Sequence, residues 1–295
     1  MLLVALALST GSGLDSVTLH QVVVSPAETL TVAVQGDGRP VVLIPGLFGS
    51  RYGFRHLAPA LAAEGFQAIV IEPLGIGTSA RPKDADYSLA AQAGRIAAAM
   101  DSLALAGSIV VAHSLGAGMT YRLAVLRPDL VTGIVSIEGG PVESAISPGL
   151  KFWLRLSGLL KLAGRGVLLG EVERSLKSSS GDPSWVTREV VDGYTAGIAR
   201  NSGAAFDALK GMAKAHEPWP LAPRLSTISG PVLLMIGAAT HKSGLASGEV
   251  AQLAATLPAF SVDSIAGVGH YIFEEQPAAV VRAVQAVRRE LAARR

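Results

Sequence analysis

The sequence predicts an α/β domain built on a mostly parallel sheet and interrupted by one helical insertion. Short apolar runs such as Val41–Ile44, Ile109–Ala112 and Val131–Ile137 recur along the chain, as expected of strands covered on both faces. Stretches of helical spacing separate them, so strand and helix alternate. The alternation fails over residues 141–229, where no strand can be read and apolar residues recur at helical spacing.

Met1–Leu8 is an unbroken apolar run followed by the small, polar Ser9–Gly13. With Ala5 and Ala7 in an A-x-A arrangement it resembles the end of a secretory signal, and it also reads as an N-terminal strand. Residues 1–13 are therefore set apart as a signal remnant or extension. A cytoplasmic location is the first reading, with a secreted or periplasmic one as the alternative. Val17–Val24 and Thr29–Gln35 are β-branched strands joined by a hairpin at Ser25-Pro26, and Gly36-Asp37-Gly38 turns the chain into Val41–Ile44. His56–Glu64 is helical and stops at Gly65, and Phe66–Ile71 is a strand. Ser88–Leu105 is a long Ala-rich helix leading to the strand Ile109–Ala112. Leu115–Leu126 is a helix ended by Pro128, and Val131–Ile137 follows as a strand. Pro231–Gly237 and Phe260–Ile265 complete eight strands, each followed by a helical stretch. Within the insertion, Phe152, Leu156, Leu159, Leu160, Ala163 and Val167 form an apolar stripe. Asp182-Pro183-Ser184 opens a further helix, with helical tendency from Trp185 to Lys214. The expected division is a core of residues 14–140 and 230–295 carrying a helical cap of residues 141–229.

The composition excludes several function classes. Hydrophobic residues at 49% and charged residues at 16% are incompatible with a mainly disordered chain. Lys plus Arg number 25 against 23 Asp plus Glu, and the tight basic cluster Arg288, Arg289, Arg294 and Arg295 reads as a helix end, so no nucleic-acid partner is expected. The absence of cysteine excludes disulfides, thiolate metal sites and a Cys nucleophile. No run of some 18 apolar residues occurs, so no membrane span is expected. No metal-ligand spacing is seen, and neither a metal nor a cofactor is expected.

The strongest local signal is Ala112-His113-Ser114-Leu115-Gly116. A buried strand ends at Ala112, a helix begins just after Ser114, and small residues stand two positions to either side of the serine. That is the setting of a nucleophile elbow, a strand-to-helix turn so tight that only small neighbours fit. It places Ser114 at a helix N-terminus, where free N–H groups favour developing negative charge. The competing reading is an ordinary turn with a capping serine. His113 is rejected as the serine's base, because neighbouring side chains at a tight turn point apart. His270, in Gly267-Val268-Gly269-His270 after the last strand, lies where open α/β sheets place their sites and is taken as general base. His20, His56 and His241 read as surface or packing residues, and His216 is left open as a residue of the cap wall.

Taken together, these features resemble the α/β-hydrolase family over residues 17–293. Val41-Val42-Leu43-Ile44-Pro45-Gly46-Leu47-Phe48-Gly49-Ser50 is similar to the family's strand and oxyanion loop. Glu72-Pro73-Leu74-Gly75-Ile76-Gly77-Thr78-Ser79 is similar to its D-x-x-G-x-G-x-S turn. The same stretch matches the G-x-G-x-x-A dinucleotide fingerprint, but Arg81-Pro82-Lys83-Asp84 reads as loop where that motif needs a helix. The resemblance implies an eight-stranded sheet flanked by helices with a helical cap. It also implies an oxyanion hole from the backbone N–H groups of Leu47 and Leu115, with Phe48 as the fallback donor. Pro45-Gly46 stands where the family usually has His-Gly. The family's usual acid position is occupied by Thr240, which cannot stabilise an imidazolium. Glu138, at the end of the Val131–Ile137 strand, is assigned as the acid, as in a subset of haloalkane dehalogenases. Glu249 and the lack of any acid are the alternatives, and Glu143 is read as a cap residue. The implied function is a serine hydrolase cleaving carboxylic esters of apolar, small-to-medium substrates, with Ser114, His270 and Glu138 as catalytic residues. Serine at the elbow speaks against the Asp-dependent epoxide hydrolases and dehalogenases of the family. A lactonase, C–C hydrolase, amidase, perhydrolase or non-catalytic ligand-binding homologue remains the alternative. Phe48, Phe152, Trp153 and Trp185 are the expected substrate-binding residues, and the partner is a small-molecule ester, with the oligomeric state open.

Overall fold

The structure, a computed structural model, describes residues 8–10, 16–146, 164–242, 244–245 and 247–294. All eight expected strands form: β2 (Val17–Ser25), β3 (Glu28–Gln35), β4 (Arg39–Ile44), β5 (Phe66–Glu72), β6 (Ser108–His113), β7 (Val131–Ile137), β8 (Val232–Gly237) and β9 (Phe260–Ile265). A ninth strand, β1 (Leu8–Thr10), corrects the expected count. It pairs antiparallel with β2, Leu8 opposite Leu19, and covers an edge whose backbone groups would otherwise lack sheet partners. Of residues 1–13, set apart as a signal remnant or extension, 1–7 and 11–13 lie outside the described residues.

The order across the sheet is β1-β2-β3-β5-β4-β6-β7-β8-β9. The hairpin β2–β3 and the β3–β5 pair are antiparallel, and every pair from β5 to β9 is parallel. The parallel strands therefore deliver their carboxyl ends to one rim. The central strands are buried on both faces, with Val41, Val42, Leu43 and Ile44 wholly inaccessible. One face packs against α2 (Leu89–Ser102) and α3 (Leu115–Leu126), the other against α1 (Leu57–Ala63) and α9 (Pro277–Ala293). The long Ala-rich helix is shorter than its composition suggests. Ser88 caps its start by accepting from the Ala91 N–H at 3.1 Å, and Ala104 turns left-handed at φ 54° just past its end.

Between β7 and β8 the described residues contain helices and no strand: α4 (Gly164–Ser179), α5 (Arg188–Arg200) and α6 (Ser202–Lys214). Asp182-Pro183-Ser184 opens only a 3-10 turn, Pro183–Trp185, and α5 starts later behind the cap Thr187. The stripe from Phe152 to Ala163 lies outside the described residues. Val172, Leu176, Val186, Val190, Val191 and Tyr194 form a small core of their own, seated on Phe48, Tyr52 and Tyr271 of the sheet domain. Among the described residues no helix is long and apolar enough to cross a membrane.

A buried ion cluster ties the return from this insertion to the elbow helix. Arg122 of α3 is wholly inaccessible and pairs with Glu217 at 2.9 Å and Glu143 at 2.6 Å. Glu217 also accepts from the Leu89 and Ala90 N–H groups at the start of α2, where the helix dipole favours its charge. Glu217→Ala is expected to cost roughly 3 kcal/mol in urea unfolding, because it leaves a buried guanidinium and two helix-start amides short of partners. A loss under about 1 kcal/mol would show that Glu143 alone holds Arg122.

Candidate active site

β6 ends at His113, and the chain enters α3 through Ser114 at φ 52° and ψ −118°. A non-glycine residue is rarely found there, and holding one costs about 1–3 kcal/mol. The surroundings enforce it. The Ser114 N–H donates to the Ile137 carbonyl of β7 at 2.9 Å, so the turn is fixed to the sheet. A Cβ at position 116 would come within 2.6 Å of the Ile44 carbonyl oxygen, so glycine is needed for α3 to start this close to β4. The Ser114 side chain makes no capping hydrogen bond, which removes the reading of a capping serine.

β7 ends the same way. Glu138 sits at φ 51°, its N–H donating to the Met235 carbonyl of β8 at 3.0 Å. Its carboxylate is fully buried: Oε1 accepts from the Gly237 N–H at 2.6 Å, and Oε2 lies 3.6 Å from Nδ1 of His270. His270 is 7% exposed, and its backbone N–H donates to the Ser179 carbonyl of α4 at 2.7 Å. Its carbonyl accepts from Nε2 of His113 at 3.1 Å, which assigns the His113 proton to Nε2 because a carbonyl cannot donate. The two rings meet edge to face, 4.6 Å between centroids. Burial, followed by the neighbouring His270, holds the His113 imidazole well below the usual histidine range, so His113 is a neutral strut under the His270 loop.

Ser114, Glu138 and His270 line one cavity of about 1010 Å³ together with Leu47, Phe48 and Leu115. Its wall is mainly apolar, with Phe54, Val142, Ile146, Leu176, Leu245 and Phe273 contributing. Glu143 and Glu249 also line it. Glu143 is bound to Arg122, and the Glu249 carboxyl faces Gly140. Trp185 is not among the described residues that line the cavity. Its indole N–H donates to Ser180 Oγ at 3.1 Å and its ring packs on Tyr194 and Tyr271, filling the insertion's own core. Phe152 and Trp153 lie outside the described residues. Thr240 is exposed, as is His216.

The turn after β5 supports the loop of residues 46–51. Glu72 is fully buried and accepts from the N–H groups of Arg51 at 2.8 Å and Thr78 at 2.6 Å. Residues 75–80 form turns, and the next helix starts at Leu89, so the glycine pattern opens no helix.

Two features escaped the sequence reading. His241, expected at the surface or in packing, brings Nε2 to 3.3 Å from Glu138 Oε2. Its one sequence signal was its place beside Thr240, where the resemblance puts an acid. The second is a clasp: Glu274 Oε1 accepts from the Tyr194 hydroxyl and from Arg55 Nη1, each at 2.6 Å. Burial raises the Glu274 carboxyl above its ordinary range and drives the Tyr194 phenol far above its own.

Two stability measurements test this geometry. Ser114→Gly is expected to be more stable than Ser114→Ala by about 1 kcal/mol in urea, since glycine alone is unstrained at this φ and ψ. Equal stabilities would mean that the turn relaxes in solution. For His113 the folded pKa is depressed, so the unfolded chain binds the extra proton as pH falls below about 6.5. Stability then drops by up to about 1.4 kcal/mol per pH unit below that point, and His113→Asn is expected to flatten the dependence. An unchanged slope in the variant would contradict the neutral buried imidazole.

A sequence profile of the alpha/beta hydrolase fold matches residues 39–165. Over 121 residues the chain is 32% identical to epoxide hydrolase B of Mycobacterium tuberculosis, a match covering 41% of this chain and 32% of that protein. The chain thus spans about a third of the length of that relative. Over 267 residues it is 26% identical to the 2-(acetamidomethylene)succinate hydrolase of Mesorhizobium japonicum, covering 87% of this chain and 90% of the relative. The solved structure of epoxide hydrolase CorEH without ligand superposes with a TM-score of 0.77 at 18% identity, covering 93% of this chain and 99% of the other. With the sheet order and the turn at Ser114 described above, these likenesses show that the chain has the α/β-hydrolase fold.

Proposed function

We propose that the chain is a serine hydrolase that cleaves carboxylic esters of apolar, small-to-medium substrates through an acyl-enzyme intermediate. The observation that carries this reading is the strained, uncapped Ser114 on the wall of the same cavity as His270, whose Nδ1 faces the buried Glu138 carboxylate. The Ser114 hydroxyl oxygen adds to the ester carbonyl carbon while its proton passes to Nε2 of His270. Glu138 steadies the imidazolium that forms, and a small rotation shortens the 3.6 Å separation to a hydrogen bond. The backbone N–H groups of Leu47 and Leu115 hold the oxyanion, each worth about 3–4 kcal/mol. Collapse breaks the bond to the alcohol, which leaves with the proton from His270. Water then attacks the acyl-serine, gives its proton to His270, and the acid departs as Ser114 is reprotonated.

Relatives named as hydrolases support the general class, and the residue at the elbow selects within it. A serine oxygen acylates readily. Epoxide opening by the family's Asp-dependent route needs a carboxylate there, and this chain has none. The helices between β7 and β8 act as a cap over the cavity, and its apolar wall favours apolar acyl or alcohol groups.

A fluorophosphonate probe is expected to label the protein stoichiometrically and to fail on Ser114→Ala. Lack of labelling of the folded protein would favour a non-catalytic ligand binder. On p-nitrophenyl esters of rising acyl length, Glu138→Gln is expected to lower kcat by roughly 10²–10⁴-fold with little change in fold. A loss of that size in Glu249→Gln, with Glu138→Gln unaffected, would move the acid to Glu249.

A further inference from the structure

We propose that Glu138, His241 and His270 form a binding site for a zinc-class divalent cation, and that its occupancy shuts off the hydrolase. The inhibitory half rests on the function proposed above; the binding half does not. The three residues come from the carboxyl ends of consecutive strands β7, β8 and β9, and one ligand atom from each lies within 4.8 Å of the others.

The orientation of His241 is the central observation. Its Nδ1 lies 2.7 Å from the Ala239 carbonyl, which can only accept, so Nδ1 carries a proton. In the neutral ring Nε2 is then a bare lone pair, yet it points at Glu138 Oε2 from 3.3 Å. A lone pair facing a carboxylate oxygen is repulsive unless something positive stands between them. Ligating histidines are commonly prepared this way, one ring N–H tied to a backbone carbonyl and the other nitrogen free for the metal. His270 adds a second, independent sign. It is 7% exposed, and its Nδ1 has no hydrogen-bond partner while facing the same oxygen from 3.6 Å. Glu138 completes the set: Oε1 is held by the Gly237 N–H, leaving Oε2 for the cation.

The distances fit a tetrahedral ion. Bonds of about 2.0–2.1 Å put neighbouring ligand atoms about 3.3–3.4 Å apart. The two edges at Oε2 measure 3.3 and 3.6 Å, and the remaining one closes by a modest rotation of one imidazole. Two nitrogens and one carboxylate oxygen suit zinc better than calcium or magnesium, which prefer oxygen alone. Glu138 and His270 line the main cavity, which gives an ion a route in and leaves a fourth position for water. Ligation at Nδ1 of His270 requires the tautomer with its proton on Nε2, which can no longer accept from Ser114, and it engages the carboxylate that steadies the ring.

Binding is measured first on Ser114→Ala, where hydrolysis is absent by construction. Equilibrium dialysis with Zn²⁺ is expected to give one tightly held ion per chain. Co²⁺ as the spectroscopic probe is expected to show the intense visible bands of a tetrahedral site. His241→Gln and Glu138→Gln are each expected to weaken binding by at least ten-fold while keeping the thermal unfolding profile of the parent. In the chain with Ser114 intact, Zn²⁺ is expected to inhibit ester hydrolysis at the concentrations that fill the site, and chelator to reverse it. No stoichiometric binding, or binding undiminished in both variants, overturns the site and assigns a shared proton to the His241–Glu138 contact. Binding without inhibition overturns the regulatory half. Absence of any ester hydrolysis before metal is added sinks the function proposed above and leaves the dialysis result standing.

Discussion

Two neighbouring parallel strands each run one residue past their last paired position into a left-handed backbone. That constraint organises the rim of the sheet. Ser114 follows β6 and Glu138 follows β7, and both are non-glycine residues at positive φ. Strain of this kind survives only where the surroundings over-determine it. Here the next strand supplies the restraint in both cases: Ser114 is held by the Ile137 carbonyl, Glu138 by the Met235 carbonyl and the Gly237 N–H. The sheet register therefore positions the hydroxyl and the carboxylate together. A one-residue slip in β7 would move both.

The electrostatics follow from that placement. A fully buried carboxylate is costly unless donors surround it, and Glu138 receives one backbone amide and faces two imidazoles. His113, one residue before the serine, cannot share that charge, because its ring is spent holding the His270 carbonyl and burial keeps it neutral. Three histidines thus stand within one small volume with different duties set by what their ring nitrogens touch. His113 supports a loop, His270 faces the cavity, and His241 faces the carboxylate and the His270 ring from its own loop.

Much of this was legible in the sequence because it rests on local rules. The central strands, buried on both faces, have to be apolar throughout, and β2 and β3 show in their β-branched residues, so eight of nine were read within a few residues of their bounds. The elbow was visible because crowding demands small residues around Ser114, and Glu138 because it ends an apolar strand beside Gly139-Gly140. What stayed hidden depends on contacts between distant segments. The start of the chain reads equally as a signal remnant or a strand, and only the pairing of Leu8–Thr10 with β2 decides for the strand there. Trp185 was read as a substrate-binding residue, yet its indole N–H finds Ser180 within the insertion and its ring packs on Tyr194 and Tyr271. His241 gains meaning only when β7 and β8 lie side by side.

The seating of the insertion follows the same logic of close approach. On α5, a Cβ at position 197 would come within 2.0 Å of the Gly77 carbonyl oxygen, so the helix rests directly on the turn that Glu72 organises. Four residues earlier in the chain, at one helical turn's spacing, Gly193 lies against the Tyr52 ring, and next to it the Tyr194 hydroxyl reaches Glu274. Glu274 is in turn four residues past His270. A displacement of α5 would thus be felt on both sides of the cavity, at the turn bracing the 46–51 loop and at the segment carrying the imidazole. Through Tyr194, α5 also contributes to the cavity wall, so its position and the geometry of the rim are linked.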